Sequence, residues 1–317
     1  MAGFPFPLPN GWFKIGYADE LEPGQVQPLR YFGQDLVLFR TKSGLPKLLD
    51  AYCPHLGAHL GHGGCVQRES IQCPFHGWRF DATGRCVEVP YATKIPARAQ
   101  LRSWPLVERN LVLWAWHHAK GAPPQWQVPV VSEIGDPAWT PYRRFRWKIR
   151  TRNQETAENA VDRAHFLYVH GTRSLPETET TIDGPILRSV QVAKMQTPRG
   201  TVEGRIESSV HGLGCSTIRF SGICDTVLVA GTAPIDDDFI DIRFSFSVKR
   251  ENGNDTERGV GAAIIGDIVK QMNEDIPIWE NKIFVQRPVL CDGDGPIGPF
   301  RRWARQFYSE VGADYTA

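Results

Sequence analysis

Two short segments of the chain combine cysteine and histidine in the same order. They are Cys53-Pro54-His55 and Cys73-Pro74-Phe75-His76, separated by 17 residues. Each segment offers one thiolate and one imidazole, whereas structural zinc sites usually group their two cysteines together and their two histidines together. Two cysteines with two histidines suit a [2Fe–2S] cluster in which imidazoles hold one of the two irons. The spacing therefore predicts an electron-transferring cluster. Its expected ligands are Cys53, His55, Cys73 and His76.

Glycines flank both segments, which favours the cluster over zinc. Those that follow the segments are Gly57, Gly61, Gly63, Gly64 and Gly77. Because glycine has no Cβ atom, its backbone amide can approach an anionic cluster and donate a hydrogen bond to a sulfide. We interpret His59 and His62, which lie in the first loop, as ordinary polar loop residues.

Length and composition limit the classes of protein to consider. The chain has 317 residues, enough for two domains with sizeable cores. Its 36 basic and 35 acidic residues nearly balance, so neither nucleic acid nor an anionic membrane is expected as a partner. Seven cysteines, an odd number, fit a reducing cytoplasm better than a disulfide framework. The amino terminus lacks a signal-peptide pattern. No run of apolar residues reaches the length of about 18 that a membrane-spanning helix needs. We therefore expect a soluble, cytoplasmic protein.

The first third of the chain shows short apolar runs separated by glycine and proline. The clearest runs lie at 35–40, 47–50 and 111–116. Their length and composition predict β-strands. The pattern indicates an all-β domain over residues 1–118 that presents both cysteine–histidine segments at one tip. A linker at 121–125 then leads into a second domain, residues 119–317.

The second domain mixes helical and strand patterns. A helix is predicted from Gln154 to Phe166, where apolar residues recur at helical spacing. Residues 239–248 alternate apolar and polar side chains, which predicts a strand whose apolar face lines a core or a cavity. Between Ile265 and Trp279 apolar residues recur every three or four positions, which predicts a long amphipathic helix. The expected fold class is therefore α+β, an all-β domain followed by an antiparallel sheet with a long late helix.

Two histidines near the first predicted helix suggest a second metal site. His165 and His170 are five residues apart, which would point them about 140° apart on a regular α-helix. Both can face one ion only if the helix widens or ends between them. Two histidines and a carboxylate, with coordination positions left open, form the facial triad of non-haem Fe(II) oxygenases. A pair of purely structural histidines is the alternative.

The third ligand should be a carboxylate, and Asp275 is the leading candidate. It lies three residues after Met272 and four before Trp279, on the apolar stripe of the late helix. A carboxylate among such neighbours is costly unless a metal compensates its charge. The alternative is an aspartate that caps a new helical segment near Pro277. Three other acidic residues of this helix are expected to be solvated: Asp267, Glu274 and Glu280.

Asp162 is a candidate for orienting one of these histidines. It precedes His165 by three residues, so both share one helical face. Its carboxylate is expected to accept a hydrogen bond from the ring nitrogen of His165 that does not bind iron. The alternative is a surface ion pair with Arg163 or Arg152.

Taken together, the motifs resemble those of the catalytic α subunits of Rieske non-haem iron oxygenases, over nearly the whole chain. The segments that carry the resemblance are CPH and CPFHGW at 53–78, ENAVDRAHFLYVH at 158–170, NEDIPIWENK at 273–282 and GPFRRWARQFY at 298–308. The resemblance implies an N-terminal Rieske [2Fe–2S] domain and a C-terminal helix-grip, START-like catalytic domain. It implies mononuclear Fe(II) on His165, His170 and Asp275. It also implies that Asp162 bridges His165 to His76 of a neighbouring subunit, so that electrons cross between the subunits of a homotrimer.

Within that family, two segments look most like the cholesterol 7-desaturases and 3-ketosteroid 9α-hydroxylases. They are CPHLGAHL at 53–60 and DIPIWENK at 275–282. Leu56 also stands where many aromatic-ring dioxygenases carry arginine. The resemblance implies O₂-dependent hydroxylation or desaturation of a hydrophobic, steroid-like molecule. Electrons from NAD(P)H would arrive through a separate reductase, with or without a ferredoxin. Two alternatives stay open: a hydroxylase or demethylase of aromatic or alkaloid substrates, and a Rieske electron carrier, which needs only the first domain.

Overall fold

The N-terminal part of the chain folds into small antiparallel sheets. The structure is a computed structural model that describes residues 4–172, 177–197, 200–251 and 253–309. The strands of this part are β1 (Gly11–Tyr17), β2 (Val26–Tyr31), β3 (Gln34–Arg40), β4 (Pro46–Asp50), β5 (Cys65–Gln67), β6 (Ser70–Gln72), β7 (Arg79–Phe80), β8 (Cys86–Glu88), β9 (Ser103–Trp104), β10 (Leu106–Arg109) and β11 (Val112–His117). They form sheets with the strand orders β1-β11-β10, β2-β3-β4-β9 and β5-β6-β7-β8. We call this part the N-terminal region.

The strands predicted in the N-terminal region are confirmed with small shifts. The runs at 35–40 and 47–50 lie in β3 and β4. The third run begins one residue late, at Val112, because Asn110 and Leu111 both adopt positive φ angles in the tight turn before β11. Residues 118–142, all of which the structure describes, form no helix and no continuous strand. The predicted linker at 121–125 lies inside this irregular segment.

A large antiparallel sheet and a long helix dominate the rest of the chain. The elements are β12 (Arg143–Ile149), α1 (Asn153–Glu158), α2 (Ala164–Tyr168), β13 (Glu177–Asp183), β14 (Ile186–Thr197), β15 (Gly200–His211), β16 (Cys215–Ser221), β17 (Thr226–Pro234), β18 (Ile240–Val248), α3 (Gly259–Asn281) and α4 (Ile297–Ala304). The seven strands follow the order β12-β18-β17-β16-β15-β14-β13. Together with the N-terminal region, this sheet and the long α3 confirm the expected α+β class.

Strand β18 shows how the sheet is covered on both sides. Its apolar side chains pack with residues of α3 in two neighbouring clusters, Phe246 with Ile265 and Ile242 with Met272 and Trp279. The alternate residues Asp241 and Ser245 are also fully buried, because the N-terminal region covers the other face. Lys14 of β1 crosses that face and donates hydrogen bonds to the Ser245 hydroxyl and to a backbone carbonyl of β17. The sheet is therefore a layer between α3 and the N-terminal region.

The single helix predicted from Gln154 to Phe166 is wrong. Helix α1 ends at Glu158 and α2 begins at Ala164. Between them the Asp162 carboxylate accepts hydrogen bonds from the amides of Ala164 and His165, at 3.0 and 3.3 Å. An aspartate that binds backbone amides in this way competes with a continuous helix and favours a new helical start. The apolar periodicity did not reveal this interruption.

Candidate metal centres

The two cysteine–histidine loops have the same backbone hydrogen bonds. The amide of Cys53 donates to the carbonyl of Ala58, and the amide of Gly57 donates back to the carbonyl of Cys53, both at 2.9 Å. In the second loop, Cys73 donates to Trp78 and Gly77 donates to Cys73, at 2.8 and 3.1 Å. Gly57 and Gly77 have φ angles of 75° and 73°, which L side chains rarely adopt. The chain thus builds one turn twice and holds a cysteine inside each copy.

The side chains of the two loops meet at the tip of the N-terminal region. Cys53 and Cys73 are both 2% exposed in one hydrophobic core, and the rings of His55 and His76 lie 4.6 Å apart between centroids. The His55 ring stacks on Trp78, also at 4.6 Å. The buried Nδ1 atom of His55 has no hydrogen-bond partner among the described residues. A buried ring nitrogen without a protein partner is typical of a metal ligand, so the four side chains fit the predicted cluster.

The electrostatics of Cys53 agree with metal binding. Burial, as the largest influence, raises the pKa of the Cys53 thiol to about 11, and the neighbouring Cys73 acts in the same direction. A thiol must lose its proton to bind a metal, and iron provides the positive charge that favours this loss. A bound metal would therefore stabilise the thiolate form of Cys53 in this buried position.

His165, His170 and Asp275 converge at a second site. One potential ligand atom from each lies within 4.8 Å of the other two. His170 Nε2 is 3.4 Å from Asp275 Oδ1, and the two imidazole centroids are 5.1 Å apart. Helix α2 ends at Tyr168, so His170 lies beyond it and is free of the helical angle that would separate the two rings. This end of the helix resolves the problem posed by the five-residue spacing.

Asp275 lies inside α3, which continues past Pro277 to Asn281, so it does not cap a new helix. Its side chain is largely buried, and burial raises its pKa, although His170, His165 and the Asn159 amide act in the opposite direction. A divalent cation would compensate this buried charge. Two imidazoles with one carboxylate are the donor set of mononuclear non-haem iron sites. The three residues fit that metal.

Sequence reasoning missed two residues that support this site. Asn159 Nδ2 donates to Asp275 Oδ2 at 3.0 Å, which engages the carboxylate oxygen farther from His170. Glu274 Oε2 accepts a hydrogen bond from His170 Nδ1, also at 3.0 Å. That bond leaves Nε2 of His170 facing Asp275, in the arrangement by which carboxylates orient metal-binding histidines. The expectation that Glu274 is merely solvated is therefore wrong.

A signal for Glu274 did exist in the sequence. It adjoins Asp275, and metal-binding histidines usually hydrogen-bond to a second carboxylate. The other two acidic residues set aside have ordinary partners: Asp267 accepts from Gln271, and Glu280 accepts from the backbone amide of Arg150.

Asp162 lies close to His165 but makes no hydrogen bond to its ring. The nearest approach is 3.7 Å, from Asp162 Oδ1 to His165 Nδ1, and that buried nitrogen has no partner among the described residues. Partial burial raises the pKa of Asp162, but the His165 ring and the backbone amides outweigh it and lower the pKa below its usual value. About a third of the Asp162 side chain remains exposed. It can therefore contact both His165 and a group outside this chain.

The site opens onto a cavity of about 270 Å³ between the sheet and α3. Its wall includes His165, His170 and Asp275. Apolar side chains from both layers make up much of the remaining lining: Ile206, Val210, Leu213, Ile218, Phe220, Leu228, Ile242, Phe244, Ile268, Met272 and Trp279. A cavity of this kind suits a largely hydrophobic small molecule.

Comparisons with known proteins agree with both halves of the chain. Residues 11–105 match the model of the Rieske [2Fe–2S] domain, and residues 115–308 match that of the 3-ketosteroid 9α-hydroxylase C-terminal domain. A cholesterol 7-desaturase of Ciona intestinalis is 31% identical over 96% of this chain and 69% of its own length. The oxygenase component of a 3-ketosteroid-9-alpha-monooxygenase of Rhodococcus rhodochrous is 31% identical over 97% of this chain and 84% of its own.

Solved structures share the fold at lower identity. Dicamba monooxygenase bound to dicamba has a TM-score of 0.73 and 20% identity, covering 95% of this chain and 98% of its own. A mutant of NdmA from Pseudomonas putida CBB5 with theobromine has a TM-score of 0.76 and 19% identity, covering 96% and 97%. In the described part of the chain, no helix is both long and apolar enough to cross a membrane.

These matches establish the kind of protein. The relatives include a desaturase and the oxygenase component of a monooxygenase, so the chain is an oxidoreductase that works with a Rieske cluster, a mononuclear iron, O₂ and electrons supplied by a separate reductase. The chain belongs to the family of Rieske oxygenase components that includes the cholesterol 7-desaturases and the 3-ketosteroid 9α-hydroxylases.

Proposed function

We propose that this chain hydroxylates or desaturates a hydrophobic, polycyclic, steroid-like molecule. The observation that carries the proposal is the cavity, whose wall combines the His165, His170 and Asp275 side chains with a largely apolar lining. The steroid class is supported by the similarity to a cholesterol 7-desaturase and to the oxygenase component of a 3-ketosteroid-9-alpha-monooxygenase, each 31% identical to this chain. When bound, the cluster supplies single electrons and the ferrous ion supplies O₂ chemistry; burial of the site limits side reactions.

We propose the following assignments for the site. Cys53, His55, Cys73 and His76 hold the cluster, and His165, His170 and Asp275 hold the mononuclear iron. Residues 1–118 then form the cluster domain and residues 119–317 the iron domain. The matched family models, at 11–105 and 115–308, support this division. None of the seven cysteines, all in the described part of the chain, forms a disulfide, which supports a reducing compartment such as the cytoplasm.

We further propose that the protein works as a homotrimer in which Asp162 links His165 to His76 of a neighbouring subunit. Within one chain, neither the hydrogen bonds nor the ring contacts of the described residues join the two metal sites. The tip that carries His76 exposes Leu56 and Phe75, at 66% and 60%. Large apolar side chains on a protruding tip are typical of a covered surface. Mass measurement in solution tests the assembly, and a stable monomer with full activity would contradict it.

The experiment that tests the activity is substrate-dependent oxygen uptake. The protein is loaded with iron and sulfide, mixed with a surrogate reductase and NAD(P)H, and screened over steroids, aromatic acids and alkaloids. We expect uptake with steroids and a new hydroxyl group or double bond in the product. Oxygen uptake only with aromatic or alkaloid compounds would show that the substrate is of that class and not a steroid.

Metal analysis separates the enzyme from a simple electron carrier. A two-iron cluster plus one mononuclear iron is expected in each chain, whereas a carrier would hold the cluster iron alone. The variant His170→Ala should lose the mononuclear iron and turnover while it keeps the visible absorption of the cluster. A variant that still turns over steroid would refute the assignment of His170.

A further inference from the structure

Polar side chains without partners lie on the side of β14 that faces the cavity. Gln191 of β14 lines the cavity, is 8% exposed, and has no recorded side-chain hydrogen bond within the described residues. Ser189, two residues earlier on the same strand, is 2% exposed, and its buried Oγ also lacks a partner there. Buried polar groups are costly to leave unpaired, so Gln191, which lines the cavity with the unpaired Ser189 hydroxyl beside it on β14, calls for a ligand.

The strand register places a third polar residue next to them. Ser189 is directly opposite Ser208 of β15, and Gln191 is directly opposite Ile206. Ser208 and Ile206 both line the cavity. Side chains opposite each other in an antiparallel pair lie about 5 Å apart on the same face of the sheet. Ser189, Gln191 and Ser208 therefore form a continuous polar patch on the cavity side, which we call the β14–β15 patch.

The lengths of the strands and of α3 indicate that the patch is distant from the iron ligands. Leu187, four residues before Gln191, shares a core with Val161, which lies in the turn between α1 and α2. Four residues of an antiparallel strand span roughly 13 Å.

Helix α3 gives a similar separation. Ile268 shares a core with Phe220, which belongs to the same cross-strand row as Gln191 and Ile206. Ile268 is seven residues before Asp275, or about 10 Å along a helix. A ligand that touches both ends must therefore be about as long as several fused rings.

We propose that the β14–β15 patch binds an oxygen substituent, a ketone or hydroxyl, on the ring of a polycyclic substrate farthest from the carbon that reacts. The Gln191 amide donates to that oxygen, and the Ser208 hydroxyl, which also lines the cavity, can donate or accept beside it. The inference rests on the proposed function and adds a specificity determinant to it. A site built to hydrogen-bond an oxygen discriminates strongly against an analogue that lacks it, because its own polar groups stay unpaired.

The test compares three ligands of one carbon skeleton: a 3-ketosteroid, its 3-hydroxy counterpart and the 3-deoxy compound. Dissociation constants are measured by calorimetry on the iron-loaded protein without O₂, so that turnover does not enter. The wild-type protein should bind at least one oxygenated ligand about tenfold to a hundredfold more tightly than the deoxy compound. The two oxygenated arms then show whether the patch favours a ketone or a hydroxyl.

Gln191→Leu should reduce that ratio to near one, and Ser208→Ala should reduce it by a smaller factor. Gln271→Leu is the matched control: Gln271 also lines the cavity, but its amide already donates to Asp267, so the ratio should persist. Circular dichroism and cluster absorption confirm that each variant is folded. Should Gln191→Leu fail to fold, Ser208→Ala alone decides the outcome.

Each possible result has a definite meaning. A wild-type protein that binds all three steroids equally, or a ratio that Gln191→Leu leaves unchanged, overturns the patch while the proposed activity stands. Failure of all three steroids to bind overturns the patch and the steroid class together. Discrimination that depends on Gln191, without any oxygen uptake, supports the patch and contradicts the activity.

Discussion

The two faces of the seven-stranded sheet bury polar groups in opposite ways. Toward the N-terminal region, the Asp241 carboxylate accepts hydrogen bonds from Arg146, Arg243 and the Tyr31 hydroxyl. Lys14 on the same face has two acceptors, and its pKa is lowered well below the ordinary value, mainly by burial. Each of these charges contacts a partner in the chain.

Toward the cavity, the same sheet buries fewer polar groups and leaves some unpaired. Gln191 and the Ser189 hydroxyl have no recorded partner among the described residues. Polar groups that are fully paired stabilise one arrangement of the fold, whereas unpaired ones are free to bind what enters the cavity. Buried polarity alone therefore does not distinguish structure from function; the presence of partners does.

The largest expected effect is the loss of Asp241. Replacing it with alanine leaves the buried Arg243 guanidinium with only the more distant Glu20 carboxylate, at 3.7 Å, and breaking such a buried pair typically costs about 3–5 kcal/mol. Chemical denaturation should show this loss in the free energy of unfolding, while the variant keeps the mononuclear iron at temperatures where it is folded. A loss below about 1 kcal/mol would show that the paired polar groups on this face contribute little to stability.

Glu274→Gln should have the converse effect. The substitution replaces the carboxylate that accepts a hydrogen bond from His170 Nδ1 with a neutral amide. Loss of such a carboxylate partner typically weakens metal binding or activity about 10- to 100-fold. Competition with a chelator measures the affinity for Fe(II), and the free energy of unfolding should change little. Asp267→Asn, an exposed change on the same helix, is the control. Equal iron affinity in both variants would show that Glu274 does not orient His170.

The acid dependence of stability provides a third test. Burial raises the pKa of Asp241, but Arg146, Arg243 and Tyr31 outweigh it and hold the pKa below the ordinary value of 3.8. Because the folded pKa is the lower one, Asp241 stabilises the fold above about pH 3.8 and loses this contribution as the pH falls through the folded pKa. Unfolding curves should therefore lose stability more steeply in acid for the wild-type protein than for Asp241→Asn. Parallel curves would contradict the pairing.

Thr217 should give the smallest effect, because it is an unpaired polar residue on the face where Asp241 and Lys14 are paired. It lies on β16 opposite Val229, on the face toward the N-terminal region, and its buried Oγ has no partner among the described residues. Since no ligand reaches this hydroxyl, Thr217→Val should leave stability unchanged or raise it by up to about 1 kcal/mol. A clear loss of stability would reveal a partner for Thr217, such as a buried water.

Much of the site could be predicted from short sequence intervals. The cysteine–histidine segments identify the cluster by residue type and spacing alone, and Asp275 was suggested by a carboxylate on an apolar helical stripe. The long helix and the strand at 239–248 also followed from periodicity, because each has one face of apolar side chains; that the polar face of β18 is buried as well could not be read from the alternation. The break between α1 and α2 could not be predicted from periodicity, because it depends on the hydrogen bonds that the Asp162 carboxylate accepts from two backbone amides.

The order of residue types along the chain determined which metals this protein is suited to bind, because donor chemistry and loop spacing are local properties. Only the tertiary structure decided what surrounds those metals. Asn159 meets Asp275 across 116 positions, and His170 meets Glu274 across 104. The Ser189–Ser208 pair depends on the register of two strands, and the burial of Asp241 depends on where the N-terminal region packs. Such long-range contacts leave no periodic pattern in a single sequence, because each depends on how separate elements pack together.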